Sequence, residues 1–271
     1  MINLIRSEWI KFRSVRSTLI LLFAAGALMV LFAVIAGNSK KDEQQNCRNE
    51  VRSEQSGGTV DPQPCPFAGG TINAEPIVAH LGDVTVGVTV AIFLFGTLGV
   101  QIIGQEYRFN TIRPTFTAAP KRIHVLFAKL IVVTLAAAAM SAVMLAVSAL
   151  IGKVMLDPFQ IDSVDVRVIW ATLLFAAGWT MYGMGLGAIL RQPIAAIVIL
   201  LVQGLIAEPL LATQIHALGP WMPFQNGVQM TGREPGDPEL FRGMFAGGVY
   251  FFVVAIAVWA IGAYLVNKRD A

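Results

Sequence analysis

The sequence predicts an all-α integral membrane protein with six transmembrane helices. Two observations carry that expectation. Of 271 residues, 55% are hydrophobic and 14% are charged, with a mean hydropathy of +0.65. A soluble domain carries about 25% charge, so too little polar surface remains to coat a water-soluble globule. The apolar residues are also gathered into long runs. A spanning helix needs roughly 20 mainly apolar residues, and six stretches qualify: 19–36, 84–103, 125–151, 168–190, 194–211 and 244–266. Together they make one transmembrane domain over 1–271. The third run is long enough to tilt.

Ahead of the first span, residues 1–17 suit an interfacial helix. Ile2, Ile5, Trp9 and Phe12 recur at helical spacing on one face, with Ser7, Lys11 and Ser14 opposite. Such a helix lies among lipid headgroups with tryptophan as an anchor. The alternative is a basic tail that only sets topology. A cleaved signal peptide fits less well, because the run at 19–36 exceeds a signal core and the segment before it is amphipathic.

Orientation follows from lysine and arginine, which stay on the cytoplasmic side. With the N-terminus inside, the short inner segments hold Arg6, Lys11, Arg13, Arg16, Arg108, Arg113, Lys121, Arg122, Arg191, Lys268 and Arg269, against Glu8, Glu106 and Asp270. The longer outer segments mix their basic residues with many acids. Both termini are therefore expected in the cytoplasm, and 38–83 outside as a long polar loop. That loop carries Cys47 and Cys65, the only cysteines, amid Gly57-Gly58, Pro62, Pro64 and Pro66, which suit irregular backbone. Outside the cytoplasm such a pair normally oxidises. An intrachain disulfide is expected, with two free thiols or an intermolecular bridge as alternatives. Two cysteines without a nearby histidine make a poor metal site, and no metal is expected.

Near the end of the chain, Glu208-Pro209 interrupts the fifth run. The apolar stretch 210–218 is too short to cross, 219–223 makes a turn, and 224–230 makes a second short element. Together they suggest a re-entrant hairpin, which needs protein or water around its non-helical backbone. Glu208 and Pro209 are candidates for an outer gate. The other reading gives Glu208 a structural role as a cap or headgroup contact. Gly183, Gly185 and Gly187 in the fourth run point to close helix packing.

Several chemistries are absent. No G-x-x-x-x-G-K-[ST] phosphate loop occurs, and no polar segment is large enough for an ATPase. His80, His124 and His216 are scattered and read as residues near membrane boundaries; no zinc-protease or nucleophile-elbow motif is found. Charge inside the spans is limited to Lys129, one turn inside the third, and Glu208, late in the fifth. No catalytic residue is assigned, and no nucleic-acid partner is expected.

The most informative segment is 105–122, between the second and third spans. Gln105, Glu106, Tyr107, Arg108, Phe109, Thr111, Ile112, Arg113 and Phe116 mix charge, aromatic rings and β-branched side chains beyond what a plain turn requires. They read equally well as a protein interface or as a loop resting on headgroups. Glu106, Thr111-Ile112, Ala118-Ala119-Pro120-Lys121-Arg122 and Ala128-Lys129, with the opening Ser7-Glu8-Trp9-Ile10-Lys11-Phe12-Arg13, resemble the membrane subunits of type-2 ABC transporters. These are bacterial permeases grouped with sodium-export, bacitracin-resistance and lantibiotic-immunity systems. The resemblance spans the whole chain through loose motifs.

The resemblance implies an elbow helix bearing Ile5, Trp9 and Phe12 on the inner face of a bacterial cell membrane. It implies a coupling helix at about 105–116 that docks on a separate ATP-binding subunit, and a working unit of two ATPases and two permeases. ATP and magnesium would sit on the partner, with no cofactor on this chain. The nearly uncharged spans suit export of a hydrophobic or amphipathic cargo such as a drug, lipid or peptide. A secondary transporter, or an anchor displaying the outer loop, is the alternative. The long segment at 38–83 departs from the generic permease.

Overall fold

The structure, a computed structural model, describes residues 2–55, 78–109, 111, 122–232 and 243–269. Among these, six helices are long and apolar enough to cross a membrane, as the composition requires. In chain order the elements are α1 (Ile2–Ser14), α2 (Arg16–Gln55), β1 (Ala79–His80), α3 (Leu81–Val84), α4 (Val88–Arg108), α5 (Arg122–Met155), β2 (Phe159–Gln160), α6 (Ser163–Leu190), α7 (Pro193–Val202), a π turn (Gln203–Ala207), α8 (Glu208–Gln214), a 3-10 turn (His216–Trp221), α9 (Pro223–Thr231) and α10 (Met244–Arg269).

Two spans lie at the centre. In α4 and α6, 67% of the most apolar window is buried within the chain, against 17–33% in the other four. The outer helices turn large apolar side chains outward, among them Leu135, Leu150, Ile206 and Val253. That surface is uneconomical in water and is what lipid tails would cover.

Glycines bring the central helices together. A Cβ on Gly183 would collide with the Gly96 carbonyl, and one on Gly99 with the Thr180 carbonyl. On the opposite side of α6, a Cβ on Gly185 would come within 2.7 Å of the Trp259 backbone, and one on Gly262 within 2.7 Å of the Gly185 carbonyl. The small residues of α6 thus serve two interfaces, with α4 and with α10, as the sequence suggested for this helix.

Two expectations need correction. The first helix does not end at the membrane boundary. α2 continues for 40 residues, about 60 Å at 1.5 Å per residue, roughly twice the bilayer core. Residues 38–55 are therefore helical, and 79–84 form β1 and α3. The segment Lys40–Gln55 is rich in Lys, Glu, Gln and Arg, which favour helix, and Lys40 pairs with Glu43 at 3.0 Å. The projecting part docks on the turn between α5 and α6: Gln44 Nε2 donates to the Pro158 carbonyl at 3.4 Å, and Arg48 donates to the Asp157 carbonyl. The β1–β2 parallel pairing, Ala79 with Phe159 and His80 with Gln160, fixes the segment before α4 to the same turn.

Nor does Glu208-Pro209 stop the fifth span. The helical run continues from Pro193 to Gln214. A proline inside an α-helix forfeits one ladder hydrogen bond. The π turn widens the backbone just ahead of it, with the Glu208 N–H bonding to the Gln203 carbonyl, and the helix resumes through Pro209.

Gly183→Leu should prevent α4 from closing on α6. Because backbone lies opposite, the loss should exceed the roughly 1–3 kcal/mol typical of overpacking. Thermal unfolding in detergent checks this. Gly243→Leu, at a position where a Cβ would meet nothing within 4 Å among the described residues, should melt like the parent.

Candidate functional site

The end of the bundle that carries α1 holds a cluster of four charges. Lys129, about two turns into α5, is 3% exposed. Its Nζ donates to Glu8 Oε2 of α1 at 2.6 Å and to Glu106 Oε1 of α4 at 2.7 Å. Lys11 completes the group, 3.0 Å from Glu8 and 3.8 Å from Glu106. Two carboxylates and two ammonium groups leave no net charge. Three segments far apart in sequence are tied through one Nζ atom. A buried ion pays a desolvation penalty of several kcal/mol, and short contacts to two carboxylates are the means of offsetting it.

The cluster explains how α1 sits. Ile2, Ile5, Trp9 and Phe12 were expected to share the apolar face. Instead Glu8 and Phe12 are buried, Leu4 and Ile5 pack beside them, and Ile2 and Trp9 stand exposed. The helix is turned so that Glu8 reaches Lys129. Trp9 still stacks on Phe12, with ring centroids 5.8 Å apart.

The nine residues expected to couple to a partner divide into three groups. Gln105, Glu106 and Tyr107 belong to the last turns of α4 and face the packing. Gln105 Nε2 donates to Ser17 Oγ at 2.8 Å and to Gln101 Oε1 at 3.0 Å. Glu106 faces Lys129, and the Tyr107 ring lies 5.2 Å from the Arg191 guanidinium. Arg108, Phe109 and Thr111 are exposed. Ile112, Arg113 and Phe116 lie outside the described residues. The stretch thus begins as the end of the second span.

Two cavities of about 490 Å³ each flank the foot of this segment. One lies beside the charge cluster and includes Phe12, Val15, Ile102 and Val132; the other includes Ser17, Gln101, Pro193 and Ile197. Phe109 and Gln105 line both.

Glu208, the expected gate residue, is 2% exposed. Its Oε1 accepts from Gln203 Nε2 at 2.8 Å, while Gln203 Oε1 accepts from the Tyr182 hydroxyl at 2.7 Å. Its Oε2 accepts from the backbone N–H of Gln225 at 3.1 Å. The carboxylate therefore caps the first turn of α9 from a distant helix. Next to it, Phe224 is buried among Phe93, Phe175 and Trp179, with ring centroids 4.6, 5.5 and 4.8 Å away. Through these contacts Glu208 anchors the segment after the fifth span. Pro209 is half-buried beside it in α8.

Cys47 is buried on the projecting part of α2, and Cys65 lies outside the described residues. Sequence reasoning missed two groupings. The Glu8–Lys129–Glu106 bridge had a signal, since a lysine inside an apolar run needs a counter-ion. The meeting of His80 with Asp162 and Asp165 had none, because it depends on the β1–β2 pairing. No protein-family model matches the sequence, and no curated protein matches it.

Lys129→Met should leave Glu8 and Glu106 facing each other with only half-exposed Lys11 between them. The expected loss is roughly 3–5 kcal/mol, read as a lower melting temperature in detergent. Adding Glu8→Gln and Glu106→Gln should recover much of it, since whole-cluster removal leaves no orphan charge. Equal melting of Lys129→Met and the parent would show that the cluster holds nothing together.

Proposed function

We propose that this chain is the permease subunit of an ABC transporter, driven by ATP hydrolysed on a separate polypeptide. The observation that carries the proposal is the Glu8–Lys129–Glu106 bridge at the foot of the 105–122 segment. It joins the N-terminal helix, the end of the second span and the start of the third into one unit. A partner that displaces this segment therefore moves two spans together, which is what converting ATP binding into an inward-to-outward switch requires. The motif resemblance from Ser7 to Arg13 and from Glu106 to Lys129 supports the same assignment.

In this scheme α1 is an elbow helix on the cytoplasmic face of a bacterial cell membrane, with exposed Ile2, Trp9 and Ile10 set into lipid. Both termini are cytoplasmic, in line with the lysine and arginine distribution. α8, the 3-10 turn and α9 form the re-entrant element of the outer leaflet. Two permeases and two ATPases form the working unit, with ATP and magnesium on the ATPases. The cargo is hydrophobic or amphipathic.

The docking side chains are those that leave the packing. Phe109 is 66% exposed at the rim of both cavities, and Arg108 lies over its ring with its guanidinium carbon 5.6 Å from the centroid. An exposed aromatic beside an arginine has the composition of an interface centre. Arg108→Glu with Phe109→Asp should reduce copurification of an ATP-binding chain by at least tenfold, about 1.4 kcal/mol, without lowering the permease melting temperature. Glu106→Ala is expected to lower stability, because Glu106 faces Lys129. Undiminished assembly and transport in the double variant would remove the docking role.

On the opposite face, an intrachain Cys47–Cys65 bridge would tie the segment after α2 back to it. Non-reducing peptide mapping should recover the two cysteines as one linked pair; recovery of both as free thiols from oxidising conditions would rule the bridge out.

A further inference from the structure

At the end of the bundle opposite α1, three metal-binding side chains from two distant segments converge. His80 comes from β1, held against β2 by its backbone. Asp162 and Asp165 open α6, where Asp162 is the N-cap and each carboxylate accepts a backbone N–H of the other residue. His80 Nδ1 lies 3.7 Å from Asp162 Oδ2 and 3.7 Å from Asp165 Oδ2, and one ligand atom from each of the three residues falls within 4.8 Å of the others.

We propose that His80, Asp162 and Asp165 bind a divalent transition-metal ion of the zinc class. Two features point to a ligand in this space. The Nδ1 atom is shut off from solvent and has no hydrogen-bond partner among the described residues, although it is aimed between two carboxylates. Both carboxylates converge on that nitrogen, and a cation between them would offset the repulsion of two like charges this close. The cap on Asp162 uses Oδ1 and leaves Oδ2 facing the nitrogen, while Asp165 Oδ2 faces the nitrogen and also accepts the Asp162 N–H.

The spacing suits a small ion. Tetrahedral zinc with bonds of about 2.1 Å holds its ligand atoms about 3.4 Å apart. The two nitrogen–oxygen separations exceed that by roughly a third of an ångström, within reach of small side-chain rotations. One imidazole nitrogen and two carboxylates favour zinc or manganese; calcium and magnesium prefer oxygen ligands throughout. Asp165 is fully buried and Asp162 is partly open, so the ion would enter past Asp162 and keep water on that side. Once bound, it would fix the segment before α4 to the start of α6, joining the ends of the two central spans.

The full-length protein, purified in detergent and stripped with a chelator, can be titrated calorimetrically with Zn²⁺, Mn²⁺, Ca²⁺ and Mg²⁺ separately. Zn²⁺ should bind at one equivalent per chain and more tightly than Ca²⁺ or Mg²⁺. His80→Gln and Asp162→Asn should each weaken it at least about 100-fold, the upper end of what losing even an indirect ligand contact costs. His216→Gln should leave it unchanged. His80→Gln keeps the backbone bond from residue 80 to Asp83, so melting in chelator should match the parent and separate lost binding from lost folding. Absence of saturable Zn²⁺ binding, a preference for Ca²⁺, or Zn²⁺ affinity unchanged in both ligand variants would overturn the assignment.

Discussion

A lysine ammonium about two turns inside an apolar helix must find negative charge or leave the membrane. Lys129 finds it twice, and much of the surrounding architecture follows. Because Glu8 must reach Nζ, α1 packs against α5 and turns Glu8 and Phe12 inward. Because Glu106 must reach the same atom, the last turn of α4 lies beside the first turns of α5. The cost of desolvating Lys129 thus fixes how the end of α4 meets the start of α5.

The centre of the bundle is organised by absence of side chain. Gly183 lets α6 approach α4, and Gly185 with Gly262 lets it approach α10. Lipid offers no hydrophobic drive for helix association, so close van der Waals contact must supply it. Around this seam the larger residues form an aromatic cage: Trp179 stacks on Tyr182 with centroids 4.9 Å apart, and Phe224 enters from α9. The Tyr182–Gln203–Glu208 chain then joins α6, the π turn and α9. Packing and hydrogen bonding converge on the same three elements.

The six spans were legible because apolar run length is a local property, and the glycines of α6 because their spacing is local too. The extent of α2 was less legible. Glycine and proline after residue 56 suggested irregular backbone, and the helix-forming content of Lys40–Gln55 was subordinated to that signal. The contact of Glu106 with Lys129 was hidden for a different reason. Its stretch of sequence is polar and aromatic and runs into exposed Arg108 and Phe109, and only the α4 helix phase shows that it points at Lys129. Glu208 likewise looked like an interruption, because a single chain does not reveal that the Gln225 N–H, 17 residues on, needs an acceptor. His80, Asp162 and Asp165 come together only through a two-residue strand pairing too short to leave a pattern.

The charges within the spans bear on the proposed cargo. Lys129 is matched by Glu8 and Glu106, and both oxygens of Glu208 accept hydrogen bonds. Neither group offers an unsatisfied charge to a translocating molecule, since taking part in transport would require breaking contacts that hold helices together. A secondary transporter places ionisable sites near the middle of the membrane and changes their occupancy as it works. Here the two ionisable positions are committed to packing near opposite ends of the bundle. Under the proposed function, the energy for a conformational change would enter from outside the spans, and Glu106 and Lys129 would pass it between the end of α4 and the start of α5.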